Sequence, residues 1–300
     1  MSVTITVPAK ITAGFAVATD VSPADLPVAV RRHLTGTFAM AAAERIGTPR
    51  LRISDHRAAD SPWDLAGIAA ADGETAHESF ARVGKAARHI GITCDLPVSD
   101  LPFGLEVARS VAHAVAASVA GIVVDLDTGQ IPPPRPRGPA RFTLADGWIG
   151  AWLPPHRDGG RCTADEDVPD SCSCVDLATR GLRRFGLPEL RIAGAACAHD
   201  LAALNVIRTT AQRLLPLGTR PGDHLLPSEL PLESHDFAAF WGTREPLWHD
   251  GPVPVRLTQP QPDMLSIGPP VDFPDSLNDW LWDELPPILY ELLGCEPDPP

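Results

Sequence analysis

Proline sets the terms on which this chain can fold. Thirty-three of its 300 residues are proline. That is about twice the ordinary share, and a ring nitrogen without hydrogen interrupts both the helix interior and the inner ladder of a sheet. Long uninterrupted helices therefore cannot dominate, and short elements joined by turns must. The distribution is uneven: five prolines fall in the nine residues 131–139, and 17 of the 33 lie after residue 215. The first cluster marks a linker, and the second a carboxyl-terminal stretch of different texture.

Between the prolines, two hydrophobic periods alternate. Residues 11–19 read as a strand, and Ser22-Pro23-Ala24-Asp25 then supplies a cap and a first-turn proline for a helix carrying Leu26, Val30 and Leu34. A strand is expected at 50–54, a loop over 55–73, a helix over 74–90 and a strand at 90–96. Leu105, Ala108, Val111, Ala112, Val115 and Val119 recur at helical spacing, with Gly121 as the stop and Ile122-Val123-Val124 as a buried strand. Beyond the linker, strands are expected at 148–153 and 189–193, helices at 174–185 and 200–215, and proline-tolerant edge strands at 253–257 and 264–267. The whole predicts an α+β fold of two loosely similar sheet-plus-helix lobes with a Pro-rich carboxyl-terminal extension. The expected bounds are 1–131 for the amino-terminal lobe, 138–268 for the second and 269–300 for an acidic amphipathic tail.

Charge narrows the partners. A net charge of -13 disfavours nucleic acid, whose backbone needs a basic surface. The most apolar window, 107–124, carries Arg109 and His113 and is rich in alanine, so it reads as a buried helix running into a strand and no membrane partner is expected. The opening residues alternate like a strand and lack the basic-then-apolar pattern of a secretion leader. With six cysteines and no such leader, reduced thiols and a cytoplasmic location are expected.

Familiar catalytic patterns are missing: no Gly-x-Ser-x-Gly, no phosphate loop, no Gly-x-Gly-x-x-Gly and no His-Glu-x-x-His. His199-Asp200, His235-Asp236 and His249-Asp250 are adjacent pairs of a kind used in metal-dependent phosphohydrolases. Helix capping by the aspartates explains them as well. A polar stretch of the second lobe gathers His156, Cys162, Cys172 and Cys174, and His199 and Cys197 lie beside a strand end. Thiolates and imidazole are the ligands zinc takes in a tetrahedron, so these residues form the candidate metal set. Cys172-Ser173-Cys174 has one intervening residue instead of the usual two to four, and unremarkable loop thiols are the competing reading.

The tail is the other distinctive feature. After Arg256 there is no basic residue, while nine acids lie between Asp263 and Asp298. Asp279, Trp280, Trp282, Asp283 and Glu284 mix charge with large apolar rings and form the candidate contact for a protein partner with a basic surface. Docking of the same rings onto the chain itself is the alternative, because exposed tryptophan is costly.

The stretches Gly121–Asp125 and Thr179-Arg180-Gly181-Leu182-Arg183-Arg184-Phe185-Gly186-Leu187-Pro188-Glu189-Leu190 resemble segments of uncharacterised bacterial proteins. The resemblance implies an intracellular α+β protein and carries over no catalytic residue. The expectation is then a non-catalytic cytoplasmic accessory protein, immunity-like, acting through its acidic segment. The alternative is a metal-dependent enzyme or metal-stabilised protein with a Cys/His site in the second lobe.

Overall fold

The computed structural model describes residues 2–22, 25–70, 78–133, 142–152 and 172–291. Helices and sheets are mixed, so the fold is α+β. The chain divides into two compact units, one of residues 8–140 with 146–148, the other of residues 1–7, 141–145 and 149–300. Strand β1 (Ser2–Val7), expected at the head of the first lobe, thus belongs with the second unit.

The amino-terminal unit is built on β2 (Lys10–Thr19), α1 (Leu26–His33), α2 (Gly36–Arg45), β3 (Arg52–Arg57), α3 (Leu65–Ala70), α4 (Glu78–Lys85), β4 (Arg88–Pro97), α5 (Phe103–Val119) and β5 (Ile122–Asp125). Its sheet runs β3-β4-β2-β5, antiparallel throughout. β2 is buried continuously from Gly14 to Thr19, which tells that both faces are covered. Ala16 and Ala18 join Leu65, Val83 and Val124 in one cluster against α3 and α4. The alternate residues Phe15 and Val17, facing Ile92 and Ile90 across the ladder, are also buried, and α5 packs on β2, β4 and β5. Gly91 leaves room for an indole, since a Cβ there would lie 1.9 Å from the Trp63 ring.

α5 ends differently from expectation. The left-handed residue is Ala120, at φ 50°, while Gly121 is required for space: a Cβ on it would lie 2.5 Å from Val17 Cγ1. On the same helix Arg109 is buried, donating to the carbonyls of Asp146 at 2.6 Å and Pro133 at 2.9 Å and stacking over Trp148 at 4.7 Å. Asp125 is fully buried and accepts from the backbone N–H groups of Asp127 and Thr128, fixing the turn after β5.

The carboxyl-terminal unit contains β6 (Gly150–Trp152), β7 (Val175–Arg180), β8 (Glu189–Ala195), α6 (Asp200–Leu214), β9 (Gly222–Pro227), β10 (Glu229–Leu232), α7 (Ser234–Phe240), β11 (Val253–Gln261), β12 (Met264–Gly268), α8 (Leu277–Asp283) and α9 (Ile288–Glu291). Six strands form one sheet in the order β10-β11-β12-β8-β7-β6, and β1 pairs with β9 in a separate antiparallel ribbon. The β12–β8 pair is parallel and the other pairs of the larger sheet are antiparallel. α6 packs on β7 and β8, and α7 packs on α6.

Two expectations fail here. Residues 174–185, expected as a helix, form β7 and a 3-10 turn, because Gly181 at φ 104° turns the chain. Val175, Leu177 and Thr179 are buried on alternate positions, the period of a strand. β11 and β12 are interior strands, not edges. Proline survives in β11 because Pro254 faces Pro231. Two prolines opposite one another can occupy only a pair without mutual hydrogen bonds, so both nitrogens point away from the ladder they share. On its other side β11 pairs with β12 only from Arg256 onward, so the Pro254 nitrogen leaves no strand partner wanting.

Candidate metal site in the carboxyl-terminal unit

The antiparallel β7–β8 pair builds the site. Val175, the first residue of β7, lies opposite Ala195, the last of β8. The residues just before β7 and just after β8 therefore meet at one end of the hairpin. Those residues are Cys172 and Cys174 on one side and Cys197 on the other. Their three Sγ atoms all lie within 4.8 Å of one another, the one such grouping of three His, Cys, Asp or Glu ligands among the described residues. A zinc–sulfur bond of about 2.3 Å sets the sulfur–sulfur edge of a tetrahedron at about 3.8 Å. The thiols need close by no more than about 1 Å to hold an ion, which side-chain rotation supplies.

The surroundings suit a thiolate. Cys172 is buried, Cys197 half-buried and Cys174 exposed, so an ion would be reached from solvent on the Cys174 side. The Cys197 backbone N–H donates to Cys172 Sγ at 3.2 Å, and an N–H aimed at sulfur favours its charged, metal-binding form. Asn278 of α8 spans the two cysteine segments: its Oδ1 accepts from the Ala196 N–H at 2.8 Å and its Nδ2 donates to the Cys172 carbonyl at 3.4 Å.

The expected ligand set is met in part. Cys172 and Cys174 come together, and Cys197 completes the trio. His156 and Cys162 lie outside the described residues. His199 is buried at the start of α6 and its ring lies 5.7 Å from that of Trp282; it does not belong to the three-residue grouping. Cys197 was legible only through its place after a strand, which is the signal that a hairpin end provides.

Of the aspartates in the His-Asp pairs, Asp236 caps a helix, whereas Asp200 is the first residue of α6 and the start of that helix has no side-chain capping bond. Asp236 accepts from the Glu233 N–H at 3.0 Å in a capping box that opens α7. The Thr179–Leu190 stretch is held by Glu189, whose buried carboxylate accepts from Thr179 Oγ1 at 2.7 Å, the Gly181 N–H at 2.9 Å and the Arg183 N–H at 3.3 Å. That network fastens the β7–β8 connection.

The tail residues separate by burial. Trp280 is 1 % exposed and Leu281, Leu285 and Leu289 are buried with it, whereas Trp282 is 62 % exposed beside exposed Asp283 and Glu284. Asp279 and Ser276 form a capping box at the start of α8, and the Ser276 hydroxyl and backbone N–H hold the Asp279 carboxyl below its usual range. α9 is anchored by Asn205 Nδ2, which donates to the Leu289 carbonyl at 2.7 Å. Of the two readings of the tail, contact with a partner and docking on the chain itself, Trp280 follows the second: it packs inside its own unit.

A cleft on the amino-terminal unit is lined in part by Lys10, Glu44, Arg45, Arg50 and Asp95. Much of its charge is already engaged: Arg45 with Asp100 at 2.8 Å, and Asp95 with Arg52 at 2.9 Å and Thr12 Oγ1 at 2.9 Å. Among the described residues, no helix is long and apolar enough to cross a membrane. Comparison with protein-family models, with curated proteins and with solved structures finds no match.

Proposed function

We propose that the carboxyl-terminal unit is a metal–thiolate module that binds one zinc ion through Cys172, Cys174 and Cys197. The observation that carries this reading is the convergence of three sulfurs from two separate segments within 4.8 Å. Soft thiolates select zinc, copper(I) or iron over magnesium or calcium, and zinc asks for no electron transfer. The ion would cross-link the entry of β7 to the exit of β8, contributing folding energy directly as structural zinc does. In this reading the ion is a staple in a cytoplasmic protein, with the three thiolates filling three positions of its tetrahedron. The test is a cobalt(II) titration of the full-length protein under reducing conditions. One equivalent should produce sulfur-to-metal charge-transfer absorption that zinc displaces and that Cys197→Ser abolishes. Absence of that absorption in the parent protein rejects the reading.

A second reading rests on the exposed face of α8, where Trp282 stands in water beside Asp283 and Glu284. A solvated tryptophan rimmed by acids suits a protein partner with a basic surface. Trp282→Ala should then abolish capture of that partner with the unit still folded, and retained capture rejects this second reading.

A further inference from the structure

The same side chain that bridges the cysteine segments belongs to the helix that carries the acidic, tryptophan-bearing face. Asn278 spends its acceptor on the residue just before Cys197 and a donor on the carbonyl of Cys172. An amide satisfied on both sides has one orientation, and here it holds only while the two segments stay together. Trp282 adds a ring contact to His199 in the turn that Cys197 begins. α8 thus touches the cluster's supports from both sides, with Trp280 and Leu281 buried behind it.

We infer that metal occupancy at Cys172, Cys174 and Cys197 governs whether α8 stays docked, with Asn278 as the positioning residue that links the two; this rests on the metal reading above. With an ion bound, three metal–sulfur bonds fix the separation that the Asn278 amide spans. On removal of the ion each thiolate takes a proton from solvent and no electrons move; the β7–β8 ladder still pairs Val175 with Ala195, and beyond it the Asn278 amide and the Cys197 N–H bear a larger share of holding the cysteine segments together. The docked helix is then the element that loosens: it opens more often, and each opening exposes Trp280 as well as Trp282. Coupling of this kind is reciprocal: whatever factor the ion adds to docking, docking adds to metal affinity.

The experiment is hydrogen exchange read by mass spectrometry on the full-length protein, zinc-loaded and chelator-stripped, alongside cobalt(II) titration. Stripping should speed exchange over Leu277–Asp283 and Ile288–Glu291 by about tenfold or more, while α6 and β8 change little. Asn278→Ala should keep the cobalt–thiolate absorption but weaken cobalt affinity by about tenfold, the effect of losing a support behind a ligand. Metal binding with unchanged exchange over α8, or unchanged affinity in Asn278→Ala, overturns the coupling and leaves the metal reading standing. Exchange that rises equally over α6 and β8 also overturns it, because the ion is then a general staple. No cobalt–thiolate absorption in the parent protein overturns both.

Discussion

Replacing Trp280 by alanine should destabilise the carboxyl-terminal unit by an amount large enough to separate it from the same substitution at Trp282. Trp280 is 1 % exposed, and Trp282, two residues on, is 62 % exposed. A buried tryptophan removes about 200 Å² from water, worth about 5 kcal/mol at about 25 cal/mol per Å². Alanine keeps a small share of that, and the cavity left behind adds to the loss, so Trp280→Ala should cost about 3–5 kcal/mol. A domain commonly has about 5–15 kcal/mol in total, so about a fifth of the stability or more would go. Trp282→Ala should cost no more than about 1 kcal/mol. Urea unfolding followed by far-ultraviolet circular dichroism measures both, and avoids relying on fluorescence from the residue removed. Equal, small losses from the two substitutions would refute the packing of α8 described above.

Stability should also fall with acid through His113. Burial, and secondarily the Arg109 charge, holds its imidazole down to about 4, against 6.5 for the free side chain. Between those values the unfolded chain takes the proton and the folded one refuses it. The contribution is therefore complete above about pH 6.5 and lost as pH falls toward about 4, with a ceiling of about 3 kcal/mol. His113→Leu should flatten the urea midpoint over that window, and an unchanged pH profile would contradict the assignment. Ala120→Gly should stabilise the amino-terminal unit by about 1 kcal/mol, because glycine accepts the left-handed conformation at the end of α5 without strain; a lowered thermal midpoint would count against it. Glu189→Ala should cost about 3 kcal/mol by stranding the N–H groups of Gly181 and Arg183, whereas a loss under about 1 kcal/mol would show that water replaces the carboxylate freely.

Much of the fold was legible wherever one period ran unbroken. β2, β4, α5, β8 and α6 lie close to the segments marked by their hydrophobic spacing, since each has a face of Val, Ile, Leu or Ala turned to a core. The 174–185 stretch misled because Ala178, Leu182 and Phe185 also sit at helical spacing. Only the turn at Gly181 and the carboxylate of Glu189, reaching back to Thr179, decide for a strand and a 3-10 turn. The interior position of β11 was hidden for a related reason. Whether a proline harms a sheet depends on which way its nitrogen points, and that is a property of register with Pro231. At the candidate site, Cys172 and Cys174 were visible as neighbours in the chain. Cys197 joins them through strand pairing at the open end of the hairpin, which no spacing rule for consecutive ligands contains. For the tail, the cost of an exposed tryptophan pointed to docking on its own unit, but which of Trp280 and Trp282 would be buried was not legible, because both sit among acids and apolar residues.

If the three converging cysteines hold an ion, the metal content of the purified protein reveals it. Protein purified under reducing conditions, without a metal-affinity step, should contain about one zinc per chain by elemental mass spectrometry, the stoichiometry of a single tetrahedral site. A Cys172→Ser/Cys174→Ser double variant and Cys197→Ser should each lose it. A parent protein that carries no metal and takes up none from added zinc, with its thiols intact, would show that the three cysteines hold no ion.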